Sequence, residues 1–316
     1  MKIVGYGKGL PNKIVTNDDL SKYVETSDEW IVQRTGIKER RISDVNTSDL
    51  ATIAAKNAIL DAGIDASEID LIICATMTPD MYTPSVACLV QKNLGLNNGN
   101  VSAFDINAAC TGFIYALKVA DSLLSKTCKK ALVIGSETMS KLIDFTDRNT
   151  CILFGDGAGA VIVEYDGENS YFHTGSSGND EVLYAKGALL NSEMNIKEVS
   201  GDFLVMNGKE VFKFAIKAME DSIVKILEDS NTSVDDISLI IPHQANQRII
   251  ANVSKRMGIS EDKFFMDLEK YGNTSAASIA IALCEAKEES KVKKNDSVIL
   301  VGFGAGLTWG SALIKL

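Results

Sequence analysis

Apolar and polar residues follow two different periods along the chain. Over residues 47–63, TSDLATIAAKNAILDAG, apolar positions return every three or four residues. That spacing predicts an amphipathic helix with Thr or Ser at its cap. The run SEIDLIICATMT follows it, continuously apolar at its centre, as in a strand covered on both faces. The same pair returns in the second half, where KEVFKFAIKAMEDSIVKILEDS (209–230) predicts a helix and DDISLIIPHQAN a buried strand. Setting Leu71 against Leu239 gives an offset of 239 − 71 = 168. Two further β-rich runs, KKALVIGSE and NDSVILVGFG, align Leu132 with Ile299 at 299 − 132 = 167. A repeat in the same order at nearly the same offset predicts a duplicated α/β unit. The expected halves are 1–166 and 167–316, with helices between and outside their sheets.

Chemistry is sought where strands turn into helices. NVSAFDIN reads as a strand and GFIYALKVADSLLSK as a helix, so Cys110 falls at a helix N-terminus. Free backbone amides and the helix dipole favour an anion there, and a thiol so placed is expected to ionise readily. The same position also suits an ordinary buried cysteine. Of the two histidines, His173 lies in SYFHTGSSGND and is expected in an exposed loop. His243, in LIIPHQAN, ends a buried strand, where ligand sites collect and where structural histidines also occur. Asn273, in KYGNTSAASIAIALCEA, follows the strand-like run FFMDL and is the second-half counterpart of the Cys110 elbow. Alone, an Asn before Thr-Ser is a helix cap. A twofold relation between the halves brings the two elbows together with His243 nearby. The C-terminal VGFGAGLTWGSALIKL runs from strand to strand, so the dinucleotide fingerprint does not fit. Its glycines admit either a plain hairpin or backbone amides close to a reacting atom. GDGAGAVIVEY at 155–165 reads as a turn of similar composition.

Composition narrows the classes. The 316 residues are 46% hydrophobic and 23% charged, enough for a packed core. No secretory leader and no long apolar span are read, so a cytoplasmic protein without a membrane segment is expected. Six cysteines without a CxxC pair argue against a disulfide framework or a metal site. A formal net charge of −10 disfavours nucleic acid and anionic membranes as main partners.

The constellation resembles the β-ketoacyl-acyl-carrier-protein synthase III family of thiolase-fold condensing enzymes. It does so across the whole chain, through DEWIVQRTGIKERR, AACTGF, RNTCILFGDGAGA, PHQANQRII, YGNTSAAS and GFGAGLTWGS. The resemblance implies a five-layered αβαβα fold, a homodimer and no permanently bound cofactor. It implies that Cys110 takes an acyl group from acyl-CoA, the substrate. His243 and Asn273 would stabilise the enolate formed when malonyl-acyl-carrier protein loses CO2, and the backbone amides of Cys110 and Ala305 would form the oxyanion hole. Ala305 stands where many relatives have glycine, but only its amide is needed. Decarboxylation generates the carbanion directly, so no general-base glutamate is expected beside the site. Trp30 and Arg148 would sandwich the CoA adenine, Arg34 would lie near its phosphates, and Phe212 and Asn246 would line the pantetheine tunnel. Lys209, Lys213 and Lys217 on one helix, and Arg248, Lys255 and Arg256 on another, offer basic faces to an acidic carrier protein. Each stripe also reads as a solvated helix face. Thr83 replaces the bulky ring that many short-primer relatives place in the partner subunit's acyl pocket, so longer or branched acyl chains are expected. A starter enzyme with a different acceptor is the first alternative, and a catalytically silent scaffold the second.

Overall fold

The structure, a computed structural model, describes residues 1–97, 99–167, 170–187 and 203–316. The first sheet contains β1 (Lys2–Gly9), β2 (Leu71–Ala75), β3 (Ser102–Ile106), β4 (Lys130–Thr138) and β5 (Asp156–Glu164), in the order β1-β5-β4-β2-β3. The second contains β6 (Tyr171–Asn179), β7 (Leu239–Pro242), β8 (Ser297–Gly304) and β9 (Gly306–Lys315), in the order β7-β8-β9-β6. In both, a parallel pair (β2 with β4, β7 with β8) is followed by two antiparallel pairings, and in the first sheet β3 adds a second parallel pairing on β2. The register repeats too: Ile72 pairs with Leu132 and Ile240 with Ile299. Those are the positions that offsets of 168 and 167 bring into equivalence.

The helices used below are α1 (Asp28–Thr35), α2 (Thr47–Ala62), α3 (Val86–Asn93), α4 (Gly112–Leu123), α5 (Gly208–Ser230), α6 (Gln247–Met257) and α7 (Ser278–Glu288). Three apolar clusters set the layering. The central one joins α4 and α7 to both sheets through Phe113, Ile114, Leu117, Ile279 and Leu283. A second packs α2 and α3 on the outer face of the first sheet, and a third packs α5 and α6 on that of the second. The result is five layers, αβαβα. β2 and β7 are buried along their whole length, which is why they read as unbroken apolar runs.

Four local expectations change. FFMDL is not a strand: Phe264 makes one bridge to Ile240 where a fifth strand would stand, between the 3₁₀ turn Glu261–Lys263 and the helical turn Leu268–Tyr271. GDGAGAVIVEY is not a turn but β5, nine residues long and paired on both sides. Its glycines admit α7, since a Cβ on Gly159 would lie 2.6 Å from the Ala280 backbone. His173 belongs to β6, opposite Ser311, rather than to a loop. The cap of α2 is Asn46, and Thr47 lies inside the helix.

Candidate active site

Two elbows, each leading into a helix, meet between the sheets. In the first, Ala109–Thr111 form a 3₁₀ turn before α4; in the second, Ser275–Ala277 do so before α7. Their hydrogen bonds repeat at an offset of 166. Thr111 N donates to Ala108 O at 3.2 Å and Ala277 N to Thr274 O at 3.0 Å. Asn107 Oδ1 accepts from Ala109 N at 3.1 Å, and Asn273 Oδ1 from Ser275 N at 2.9 Å. Ala109 and Ser275 both hold a left-handed backbone, with φ of 46° and 49°. Residue by residue, then, Asn273 answers to Asn107, and Cys110 to Ala276. Asn107 is exposed whereas Asn273 is buried.

Cys110 lies under the turn between β8 and β9. A Cβ on Gly304 would stand 2.8 Å from the Cys110 amide nitrogen, so only glycine lets the turn come this close. Thr308 Oγ1 pins the turn by donating to Ala108 O at 3.2 Å and Ala305 O at 3.0 Å. The thiol donates to Ser275 Oγ at 3.5 Å. An easily ionised thiol was the sequence expectation, and the resting structure reverses it: burial pushes Cys110 up to about 12, Glu137 adds to the rise, and the Ser275 hydroxyl opposes it. Desolvation of the charged form outweighs the dipole of the turn.

His243 is 1% exposed, edge-on to Phe303 at 5.3 Å between ring centroids. Burial lowers it to about 3, so the imidazole is neutral. Its Nδ1 lies 2.7 Å from Ser278 Oγ. When Ser278 donates to Nδ1, the ring proton sits on Nε2 and the histidine becomes a donor. The Asn273 backbone is tied to both sides of Phe154, through Leu153 O at 2.8 Å and Gly155 N at 3.0 Å. With Oδ1 committed to Ser275, the Asn273 side chain has its amide hydrogens left to offer.

Cys110, His243, Asn273 and Ala305 line one cavity of about 270 Å³. Trp30, Arg34, Phe212 and Asn246 line it as well. Asn246 caps α6 through Arg248 N at 2.9 Å and donates to Arg34 O at 3.1 Å, so it joins α1 to α6. Arg34 and Arg148 both stand on the Trp30 ring, 4.5 and 4.7 Å from its centroid. A ring held between Trp30 and Arg148 needs two van der Waals steps of about 3.5 Å each. The sandwich expected for adenine is therefore closed here, and Arg148 has to swing away to open it.

Other expected residues lie apart. Thr83 is exposed and does not line this cavity. Lys209, Lys213, Lys217, Arg248, Lys255 and Arg256 are all exposed, but half of them are paired: Lys213 with Glu210, Lys217 with Asp221 and Arg256 with Glu220. Among the described residues, Lys209, Arg248 and Lys255 form no ion pair, and Arg248 stacks on Phe212 at 5.7 Å. A glutamate does stand near the site, where no general-base glutamate is expected. Glu137, at the end of β4, is completely buried, accepts from Thr76, Met77 and Thr78, and raises the Cys110 thiol. Its signal in the sequence was a charge closing the apolar run KKALVIGSE.

Residues 104–179 match the family model described as 3-oxoacyl-[acyl-carrier-protein] synthase III, and residues 227–316 match its C-terminal counterpart. A protein of Clostridium perfringens, beta-ketoacyl-[acyl-carrier-protein] synthase III, is 55% identical over 100% of this chain and 99% of its own. Among solved structures, 3-oxoacyl-[acyl-carrier-protein] synthase III of Aquifex aeolicus is 46% identical, with a TM-score of 0.91, covering 100% of this chain and 99% of that one. The Thermus thermophilus enzyme of the same kind is 40% identical, with a TM-score of 0.92 and the same coverage.

Proposed function

Because the chain belongs to the β-ketoacyl-[acyl-carrier-protein] synthase III family, and so is the initiating condensing enzyme of type II fatty-acid synthesis, we propose the following assignment of its residues. Cys110 sulfur attacks the acyl-CoA thioester carbonyl, and the amides of Cys110 and Ala305 hold the developing oxyanion. CoA leaves. Malonyl-acyl-carrier protein then enters the same cavity and loses CO2. His243, through Nε2–H, and Asn273, through its amide hydrogens, hold the enolate oxygen. The carbanion attacks the acyl-cysteine, giving 3-oxoacyl-acyl-carrier protein and the free thiol. One observation carries this reading: Cys110, His243 and Asn273 line a single cavity. Around it, Asn273 Oδ1 is already engaged, leaving its amide hydrogens, and a Ser278 hydroxyl that donates to His243 Nδ1 leaves Nε2–H as a donor. A histidine that stays neutral down to about pH 3 gives up no proton and acts as a fixed dipole.

The outer assignments follow the same frame. CoA lies along Trp30, Arg34 and Arg148, with its pantetheine arm past Phe212 and Asn246. Lys209, Arg248 and Lys255, exposed and without an ion pair among the described residues, form the strongest part of the carrier-docking face, with Lys213, Lys217 and Arg256 around them. The enzyme works in the cytoplasm as a homodimer, to which β3 offers an unpaired sheet edge. No helix among the described residues is long and apolar enough to cross a membrane.

The test is intact-protein mass after exposure to an equimolar mixture of acetyl-, isobutyryl- and octanoyl-CoA. One acyl adduct is expected on the wild type and none on Cys110→Ser, and the added mass identifies the primer. An adduct that persists on Cys110→Ser, or none on the wild type, would overturn the assignment of Cys110.

A further inference from the structure

The Cys110 elbow carries a hydroxyl contact that the other elbow lacks. Thr111 Oγ1 donates to Thr308 Oγ1 at 2.9 Å. Thr308 Oγ1 lies 3.0 Å from Ala305 O and 3.2 Å from Ala108 O, and Thr111 Oγ1 reaches Ala108 O at 2.7 Å. The two hydroxyls therefore join the elbow of the first half to the β8–β9 turn of the second, across 197 residues of sequence. Thr111 is fully buried and Thr308 partly so, and shielding from water strengthens such bonds.

The second elbow shows what this contact is not needed for. There Ala277 answers to Thr111, so no hydroxyl stands at that position. The left-handed residue is nevertheless kept, with φ of 49° at Ser275 against 46° at Ala109. The backbone bond from Ala277 N to Thr274 O likewise matches that from Thr111 N to Ala108 O. An elbow thus folds without the hydroxyl, and what the hydroxyls add is a tie to the turn above Cys110. One end of the tie is Ala108, two residues before Cys110. The other is Ala305, which lines the cavity and whose N–H has no acceptor among the described residues.

We infer that Thr308 is a positioning residue for acyl transfer: its hydroxyl, met by that of Thr111, clamps the Ala305 turn to the Cys110 elbow and sets the spacing of the two amides that hold the oxyanion. The inference rests on the assignment of Cys110 and of those amides. Thr308 does not line the cavity, so it acts through the backbone it holds. As the sulfur attacks the thioester, the S–acyl bond forms and the carbonyl oxygen gains negative charge. Hydrogen bonds from both amides strengthen as that charge grows, and donors out of place lose part of the gain. The reactivity of the thiol itself is left alone. The effect of the clamp should therefore be confined to reactions that pass through an oxyanion. Iodoacetamide supplies the contrast. Cys110 sulfur displaces iodide from a saturated carbon, the S–C bond forming as the C–I bond breaks, and no charge gathers on an oxygen.

The test compares two single-turnover rates for wild type, Thr308→Val and Thr308→Ser, each read by mass on the Cys110 peptide. One is acylation by acetyl-, isobutyryl- or octanoyl-CoA, whichever labels wild type fastest; the other is alkylation by iodoacetamide. Valine keeps the β-branched shape that suits a strand and removes the hydroxyl. Thr308→Val should acylate about tenfold more slowly or worse, against about 100-fold for outright loss of an oxyanion donor, while its alkylation stays within about twofold of wild type. Thr308→Ser, which keeps the hydroxyl, should bring acylation back to within about threefold. Acylation of Thr308→Val within twofold of wild type, equal losses of acylation and alkylation, or a serine variant as slow as the valine one would each overturn the clamp alone. A wild type that iodoacetamide modifies at Cys110 but none of the three acyl-CoAs does would overturn the clamp together with the assignment beneath it.

Discussion

Glu137 and His243 are both closed off from water, and burial moves them in opposite directions, to about 7 and about 3. The carboxyl holds its proton more tightly folded than unfolded, so its contribution to stability falls as pH rises from about 4.5 to about 7. The histidine takes up its proton less readily folded, so its contribution falls as pH drops from about 6.5 to about 3. Between about 4.5 and 6.5 the two slopes oppose each other. The Glu137 displacement corresponds to about 3 kcal/mol. In urea unfolding at pH 5, 6 and 7, wild type should be nearly level, whereas Glu137→Gln should gain stability from pH 5 to pH 6.5 because the histidine slope is no longer opposed. Parallel curves for the two proteins would count against a carboxyl that titrates in this range.

Among the elements, the β8–β9 turn is the one that packs directly on the Cys110 amide. Alanine at Gly304 would set a Cβ 2.8 Å from the Cys110 nitrogen and 3.3 Å from its Cβ, so turn or elbow must shift. Gly304→Ala should slow Cys110 acylation about 100-fold, the cost of misplacing a reacting group by about an ångström, while far-UV circular dichroism stays that of wild type. Acylation at the wild-type rate would show that the turn does not position the thiol. The sequence displayed this level of organisation well where elements are long. The paired helix–strand units and their offsets reappear in the register itself, Ile72 to Leu132 and Ile240 to Ile299. It misled where elements are short or glycine-rich. FFMDL carries strand-forming residues, but one bridge at Phe264 is all the second sheet uses. The glycines of β5 signal the passage of α7 over a strand, not a turn, and nothing local in GDGAGA distinguishes the two. The elbow cysteine, the strand-end histidine and Asn273 were legible as candidates. Ser275, Ser278 and Glu137 were not, because their contacts join residues distant in sequence: Ser275 meets Cys110 165 residues away, Glu137 meets Thr76 61 away and Ser278 meets His243 35 away.

For the whole molecule, the segment around Thr83 is the part a single chain leaves unexplained. Met81 and Tyr82 are 47% and 83% exposed beside it. If this segment completes the acyl pocket of a second copy, Thr83→Phe should shorten the pocket. In competition between octanoyl- and acetyl-CoA, the octanoyl share of adduct should then fall about tenfold or more; an unchanged share would place Thr83 outside the pocket. A different consequence follows from the cavity that holds Cys110. If Cys110 carries the acyl group, acyl-CoA and the carrier's malonyl thioester must reach the same sulfur through the same cavity. They cannot be present together at the cysteine, so the enzyme works in alternation, with one visitor gone before the next arrives. The acyl group left on the sulfur is then its only memory of the first visitor, and free CoA that lingers competes with the carrier for the way in.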